Sequence, residues 1–378
     1  MSAVREVETL SGPHYPLQGL RVIEFCWVWA GPFLGQFLAD LGAEVIKIEW
    51  YDRYDLYRTR GVERLRGKVP ETVHREMSAS FHSLNRNKVG FAVNLKEPDG
   101  VDLIRQLAAR SEVVIENWSA GTLERLGVGY AALKAANPDL LMLSLPAFGP
   151  NSRLKDMRSY GLVTSSLAGA EAPIRADGEF VGTPTFNISD PNAALFGLLG
   201  VLAGLLKARQ CGAGLNLVVA QLEAAMTVMN QGVARPREDQ IEGLFETADG
   251  RFMAVCLPRA TAAEAGPDSA ALAAWCAGLS GTALAAAAQA RGGSAVEACN
   301  VVDSADHPTF ADLGVRVGSD HPVTGREDLI AAPWRINGQR APVRKPAPVM
   351  AEGNTYVLRQ ILGLSDDAIA DLRVRKIV

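Results

Sequence analysis

The sequence predicts an α/β protein whose main domain is a doubly wound parallel sheet. Two observations carry that prediction. Short β-branched runs alternate with stretches of helical periodicity through residues 20–149, the pattern of βαβ units. In addition, 48% of the 378 residues are hydrophobic, enough for a large core in two domains or one big one.

"LRVIEF" (20–25) reads as a buried strand. Phe33, Phe37, Leu38 and Leu41 then recur at helical spacing, giving a helix over 32–41 closed by Gly42. "AEVIKIE" (43–49) is the next strand and completes a strand–helix–strand unit. "VGFAVNL" (89–95), a helix over 96–110 and "EVVIEN" (112–117) repeat the unit. Two short helices follow within 120–138, and "LLMLSLPAFG" (140–149) is a strand ending in a loop. Sheets of this kind bind ligands beyond the carboxyl ends of their strands. Residues 50–80 are charged, aromatic and without period, and read as an excursion over the surface or a partner. An apolar helix opens at Asp190–Pro191, and residues 215–231 begin as a strand and turn into a helix. Residues 240–320 form a second region, with a hairpin over 243–257 turning at Asp249–Gly250 and an Ala-rich helical stretch over 260–293. Residues 331–349 are Pro-rich and extended, and the chain ends in two helices, the second capped by Ser365.

The formal net charge is −4 and there is no long basic run, so neither a nucleic acid nor an anionic membrane is indicated as partner; a small molecule is. The five cysteines form no CxxC pair, which reads as a reduced, cytoplasmic protein. The N-terminal residues lack the apolar segment of a signal peptide. The longest apolar run, residues 193–206, falls short of the ~18–20 residues that span a bilayer. GxGxxG after a strand, GxxxxGK[ST], HExxH and GxSxG are all absent. The five histidines do not cluster at metal spacing and read as surface residues, so no metal is expected. Cys26 reads as a buried free thiol. One carboxylate stands out. Asp190 precedes Pro191 at the mouth of the apolar run, either as a helix N-cap with proline at N1 or as a group held where chemistry can use it.

Four stretches combine into a resemblance: "LRVIEFCWVWAGPFLGQFLADLGAEVIKIE" (20–49), "NRNKVGFAVNLKEPDG" (85–100), "VVIENWSAGTLERLGVGYAALKAANPDLLMLSLPAFG" (113–149) and "ISDPNAALFGLLGVLAGLLKARQCGAGLNLVVAQLEA" (188–224). Together with the C-terminal tail, they resemble the family III CoA-transferases, a group that includes formyl-CoA transferase, the carnitine CoA-transferase and α-methylacyl-CoA racemase. The resemblance implies a large Rossmann-like α/β domain built from both chain ends, residues 1–225 and 326–378. It implies a smaller α+β domain with linkers over 226–325, and two subunits threaded through each other as an interlocked dimer.

The resemblance also implies chemistry. Asp190 is the nucleophile that takes an acyl group from an acyl-CoA, succinyl-CoA being one candidate donor, and then carries CoA as a thioester. An acceptor carboxylic acid then reverses the steps. Ala30, Lys96, Asn117, Arg125, Arg158 and Tyr160 fall where this family contacts coenzyme A. Lys96, Arg125 and Arg158 supply cations for its phosphates. Trp50 stands where an arginine is expected. Other departures are Ala194 in place of a glycine four residues after the aspartate, "AEG" (351–353) in place of "GEH", a shortened middle region and no Gly-rich lid. Two alternatives stay open. One is a low-activity subunit that partners a related chain, as a heteromer rather than a homodimer. The other is a racemase, which needs a histidine where this chain has Tyr160.

Overall fold

Buried on both faces, a parallel strand reads as a continuous apolar run, and such runs form the centre of this protein. A computed structural model describes residues 15–171, 175–176, 179–181, 187–229, 239–262, 268–299 and 307–378. Six strands make one sheet: β1 (Arg21–Phe25), β2 (Glu44–Glu49), β3 (Lys88–Ala92), β4 (Val113–Glu116), β5 (Leu141–Ser144) and β6 (Asn216–Val218). They lie in the order β3-β2-β1-β4-β5-β6, and every pair is parallel. Side chains alternate between the faces. Ile23, Ile46, Val114 and Met142 pack with α2 (Pro98–Ala108) and the C-terminal helix α6 (Asp366–Val374) on one side. Val22, Val45, Val113 and Leu141 pack with α1 (Ala30–Asp40) and the long helix α4 (Ser189–Cys211) on the other. The remaining helices near the site are α3 (Gly161–Ala168) and α5 (Gln221–Val228).

The chain divides into two units. Met1–Met229 and Val315–Val378 form the one that holds the sheet. Asn230–Gly314 form the other. Within the second, Gln240–Glu246 and Phe252–Pro258 make an antiparallel hairpin around Gly250, and Ser294–Glu297 adds a third strand. Ala-rich helices Ser269–Ala277 and Gly281–Ala290 supply Leu272, Cys276, Leu284 and Ala288 to its core. In the first unit the C-terminal return docks on the β3 edge. Asn354 exchanges hydrogen bonds with the Ala92 backbone at 2.8 and 3.0 Å. Ser365 caps α6 by accepting the Ala368 N–H. The segment before it, Tyr356–Ile361, is π-helical.

Several expectations are corrected. Residues 50–80 are not simply a surface excursion. Asp55, Arg58 and Glu76 in that segment are buried within the sheet-bearing unit. Arg58 donates to both oxygens of Glu49 and to Glu76, which makes burying three charges tolerable. His74, His82 and His321 are buried rather than on the surface. His82 and His321 stack at 4.0 Å, and His82 Nδ1 lies 2.7 Å from Glu327. Helix α4 runs 23 residues, past both ends of the apolar run, and by length and composition it is long enough to cross a bilayer. Its Ala193, Ala194, Gly197, Val201 and Gly204 are buried, and α4 packs on α1 and β5.

Candidate active site

In the strand order β3-β2-β1-β4-β5-β6, connections leave β1 and β4 in opposite directions, which opens a crevice at their carboxyl ends. A cavity of about 630 Å³ lies there, lined by the segments that follow β1 to β5, by residues 155–161 and by Asp190. Four of the chain's six tryptophans line it: Trp27, Trp29, Trp50 and Trp118. The rings of Trp27 and Trp118 meet edge to face at 5.5 Å. Both indole N–H groups are buried without an acceptor among the described residues.

Asp190 is part of the lining. Helix α4 starts one residue earlier, at Ser189, so Asp190 sits inside its first turn with Pro191 after it, not at the cap. The backbone N–H of Ala30, the first residue of α1, lies close enough to the Asp190 carboxylate to favour the anion. Two helix N-termini thus converge on one carboxylate. Ser189 ties the start of α4 to α3, its hydroxyl donating to the Gly161 carbonyl that Thr164, within α3, also reaches. Gly161 has to be glycine: a Cβ there would lie 1.9 Å from Asp190 Oδ2.

Only 7% of Asp190 is exposed. Burial pushes its carboxyl up from the ordinary 3.8 to about 6, against the Ala30 N–H bond and the Arg60 charge, which both favour the anion. Arg60 donates to the Tyr57 hydroxyl at 2.8 Å and stacks on its ring. Burial likewise raises the Tyr57 phenol, and Asp190 adds to that rise. Tyr57 and Arg60 belong to the aperiodic 50–80 segment, where no spacing marked them.

The sequence profile of CoA-transferase family III matches residues 17–265. The chain belongs to that family. A succinyl-CoA–D-citramalate CoA-transferase of Chloroflexus aurantiacus is 26% identical over 97% of this chain and 99% of its own length. The succinyl-CoA–L-malate CoA-transferase beta subunit of the same organism is 26% identical over 96% of this chain and 98% of its own. A succinate–glutarate CoA-transferase of Agrobacterium fabrum is 32% identical over 57% of this chain and 53% of its own. Among solved structures, Rv3272 of Mycobacterium tuberculosis superposes with a TM-score of 0.74 at 27% identity, covering 92% of this chain and 100% of that one. A CAIB/BAIF family protein of Brucella suis shares the fold, with a TM-score of 0.78 at 23% identity and coverage of 93% and 100%.

The chain is therefore a CoA-transferase. Of the residues singled out in the sequence, Lys96, Asn117, Arg158, Tyr160 and Asp190 line the cavity. Lys96 and Arg158 are exposed, as are Arg53 and Lys155, two further cations on the lining that no motif marks. Ala30 is buried and not on the lining, with its N–H near Asp190. Arg125 is not part of the lining: its guanidinium turns to Thr122 Oγ1 at 2.9 Å and the Ala120 carbonyl at 3.5 Å. Asn117 spends its amide on the backbone. Its Oδ1 accepts the Trp27 N–H at 2.9 Å, and its Nδ2 donates to the Trp27 carbonyl at 2.8 Å. Among the described residues, no group of three His, Cys, Asp or Glu side chains could hold a metal ion.

Proposed function

We propose that the protein moves CoA from succinyl-CoA to a second carboxylic acid through a thioester on Asp190. The observation that carries this reading is a buried carboxylate on the cavity lining, beside the Ala30 N–H and raised to about 6. At neutral pH such a group is ionised, yet it has lost most of the water that blunts a carboxylate in solution. An Asp190 oxygen attacks the succinyl carbonyl and the CoA thiolate leaves, forming a mixed anhydride. The thiolate attacks the aspartyl carbonyl of that anhydride and expels succinate, leaving aspartyl-CoA. The acceptor carboxylate attacks the new thioester and expels the thiolate, which then takes the acceptor's acyl group and returns Asp190 as its carboxylate. Every nucleophile and leaving group is a carboxylate or a thiolate, so no proton has to move. The cavity lining, as described, includes no histidine. That fits acyl exchange and gives no support to racemisation, which needs a proton shuttle at the α-carbon.

Succinyl-CoA is proposed as donor from the names of the relatives, and the cations Arg53, Lys96, Lys155 and Arg158 as partners for the CoA phosphates. The active form is proposed to be an interlocked assembly of two chains, a homodimer or a pair with a related subunit. Relatives named as alpha and beta subunits support the second form.

Trapping tests the nucleophile. The protein is incubated with succinyl-CoA, treated with borohydride and digested for peptide mass spectrometry. Reduction of a thioester at Asp190 converts that residue to homoserine. An unmodified Asp190 in a sample that binds CoA would refute the reading.

A further inference from the structure

The loop that presents the Ala30 N–H is strained. Val28, two residues earlier, has φ +71°. A β-branched side chain enters this left-handed region only when its surroundings force it there. Three consecutive residues are each fixed by a side chain from elsewhere in the chain. The Cys26 carbonyl accepts Lys47 Nζ from β2 at 2.7 Å. The Trp27 peptide is held on both sides by Asn117, just beyond β4. The Val28 N–H donates to Asp55 Oδ1 at 2.8 Å. Asp55 is itself immobile. It is fully buried, paired with Lys47 at 3.0 Å, accepts the Tyr57 N–H at 3.0 Å, and donates its own N–H to Glu49. A loop held at three successive points cannot relax its one unfavourable torsion, and α1 starts directly after it.

We infer that Asn117 and Asp55 are positioning residues that hold Val28 in its left-handed conformation and so aim the Ala30 N–H at Asp190. Asn117 then acts on the reaction through the loop, not by contacting CoA. The inference rests on the proposed role of Asp190, and the two can fail separately.

The strain is tested first, without reference to activity. Alanine normally stabilises a chain relative to glycine, but the order inverts where φ is positive. Val28→Gly is expected to melt above Val28→Ala. A higher melting temperature for Val28→Ala would overturn the inference, whatever Asp190 does. The clamp is tested by Asn117→Ala, with succinyl-CoA as donor and a dicarboxylic acid as acceptor. Once the clamp is lost, Val28 relaxes and carries Ala30 away. The expected result is a fall in kcat of about tenfold or more, as for a small misplacement in a reacting site. KM for succinyl-CoA stays within about threefold of wild type, since uniform binding is kept. The acid limb of the pH profile moves to higher pH, because the Ala30 N–H no longer favours the Asp190 anion; Arg60 and Tyr57, which also face Asp190, are unchanged. Adding Val28→Gly to Asn117→Ala should recover part of kcat, because glycine has no torsional reason to relax. Adding Val28→Ala should not. A rise in KM at constant kcat would make Asn117 a CoA contact and overturn the inference, as would a double variant with glycine no faster than Asn117→Ala alone. If Asn117→Ala does not fold, Asp55→Ala, which removes the acceptor of the Val28 N–H, gives the same comparison with the same two partners at position 28.

Discussion

At the scale of single residues, the site turns on one carboxylate whose environment works against its charge. The sign of the consequence is fixed. The Asp190 carboxyl is raised from the ordinary 3.8 to about 6, so between these values the folded chain holds a proton that the unfolded chain has released. Stability from this group is present below the lower value and lost as pH rises through the upper one. At ~1.4 kcal/mol per pH unit, the ionised form costs about 3 kcal/mol at neutral pH. Asp190→Asn should therefore abolish transfer and, by urea unfolding at pH 7.5, stabilise the protein by up to about 3 kcal/mol, with little gain near pH 4. A variant no more stable than wild type at pH 7.5 would contradict the burial cost. Activity needs the anion, so kcat/KM should fall about tenfold per pH unit below about 6. Glu116, raised by burial to about 7 at the end of β4, titrates nearby. Glu116→Gln should leave the limb near 6, and its disappearance in that variant would assign it to Glu116 instead.

At the scale of elements, what was legible in the sequence follows the range of the forces involved. The six parallel strands and their crossover helices could be read because β-branched runs and helical periodicity are local signals. Asp190 could be singled out because a carboxylate beside proline ahead of an apolar helix is also local. The partners of that carboxylate could not. Ala30 lies 160 residues away and contributes only a backbone N–H. Gly161 contributes only the absence of a Cβ. The segment 50–80 escapes a local reading for a related reason: its charges are paired over long range, and pairing leaves no period. Arg58 is fully buried, donates to Glu49 at 2.9 and 2.7 Å and to Glu76 at 2.6 Å, and reaches the Pro348 carbonyl at 3.0 Å. It also lies over the Phe81 ring at 3.9 Å. Burial alone would raise the Glu49 carboxyl; Arg58 reverses that and holds it well below the ordinary value. Arg58→Met keeps most of the volume and strands two buried anions. It should cost about 3–5 kcal/mol at pH 7.5 by urea unfolding, and less at pH 5 as the freed carboxyls take up protons. An equal loss at both values would mean that packing over Phe81, rather than the ion pairs, is what Arg58 supplies.

At the scale of the whole molecule, the question is what covers the outer faces of the helices that meet at the site. Helix α4 buries one stripe and exposes Leu195, Phe196, Leu199 and Leu206, the last two above 60%. Helices α3 and α5 pack beside it and expose Leu162, Leu167 and Met226. A run of large apolar side chains across three adjoining helices is more than a soluble surface ordinarily leaves to water. The proposed two-chain assembly supplies a reason, since a second chain seated there would bury these side chains and press on the helix ends that hold Asp190 in place. Leu199→Glu with Leu206→Glu puts two charges on the exposed side of α4 without touching its buried stripe. In sedimentation velocity the wild type, alone or mixed with a related subunit, should run as at least two chains. The double variant should run as one, because desolvating two carboxylates opposes association. A wild type that stays a single chain under both conditions, or a double variant that assembles like it, would remove this face from the interface and leave its apolar character to be explained another way.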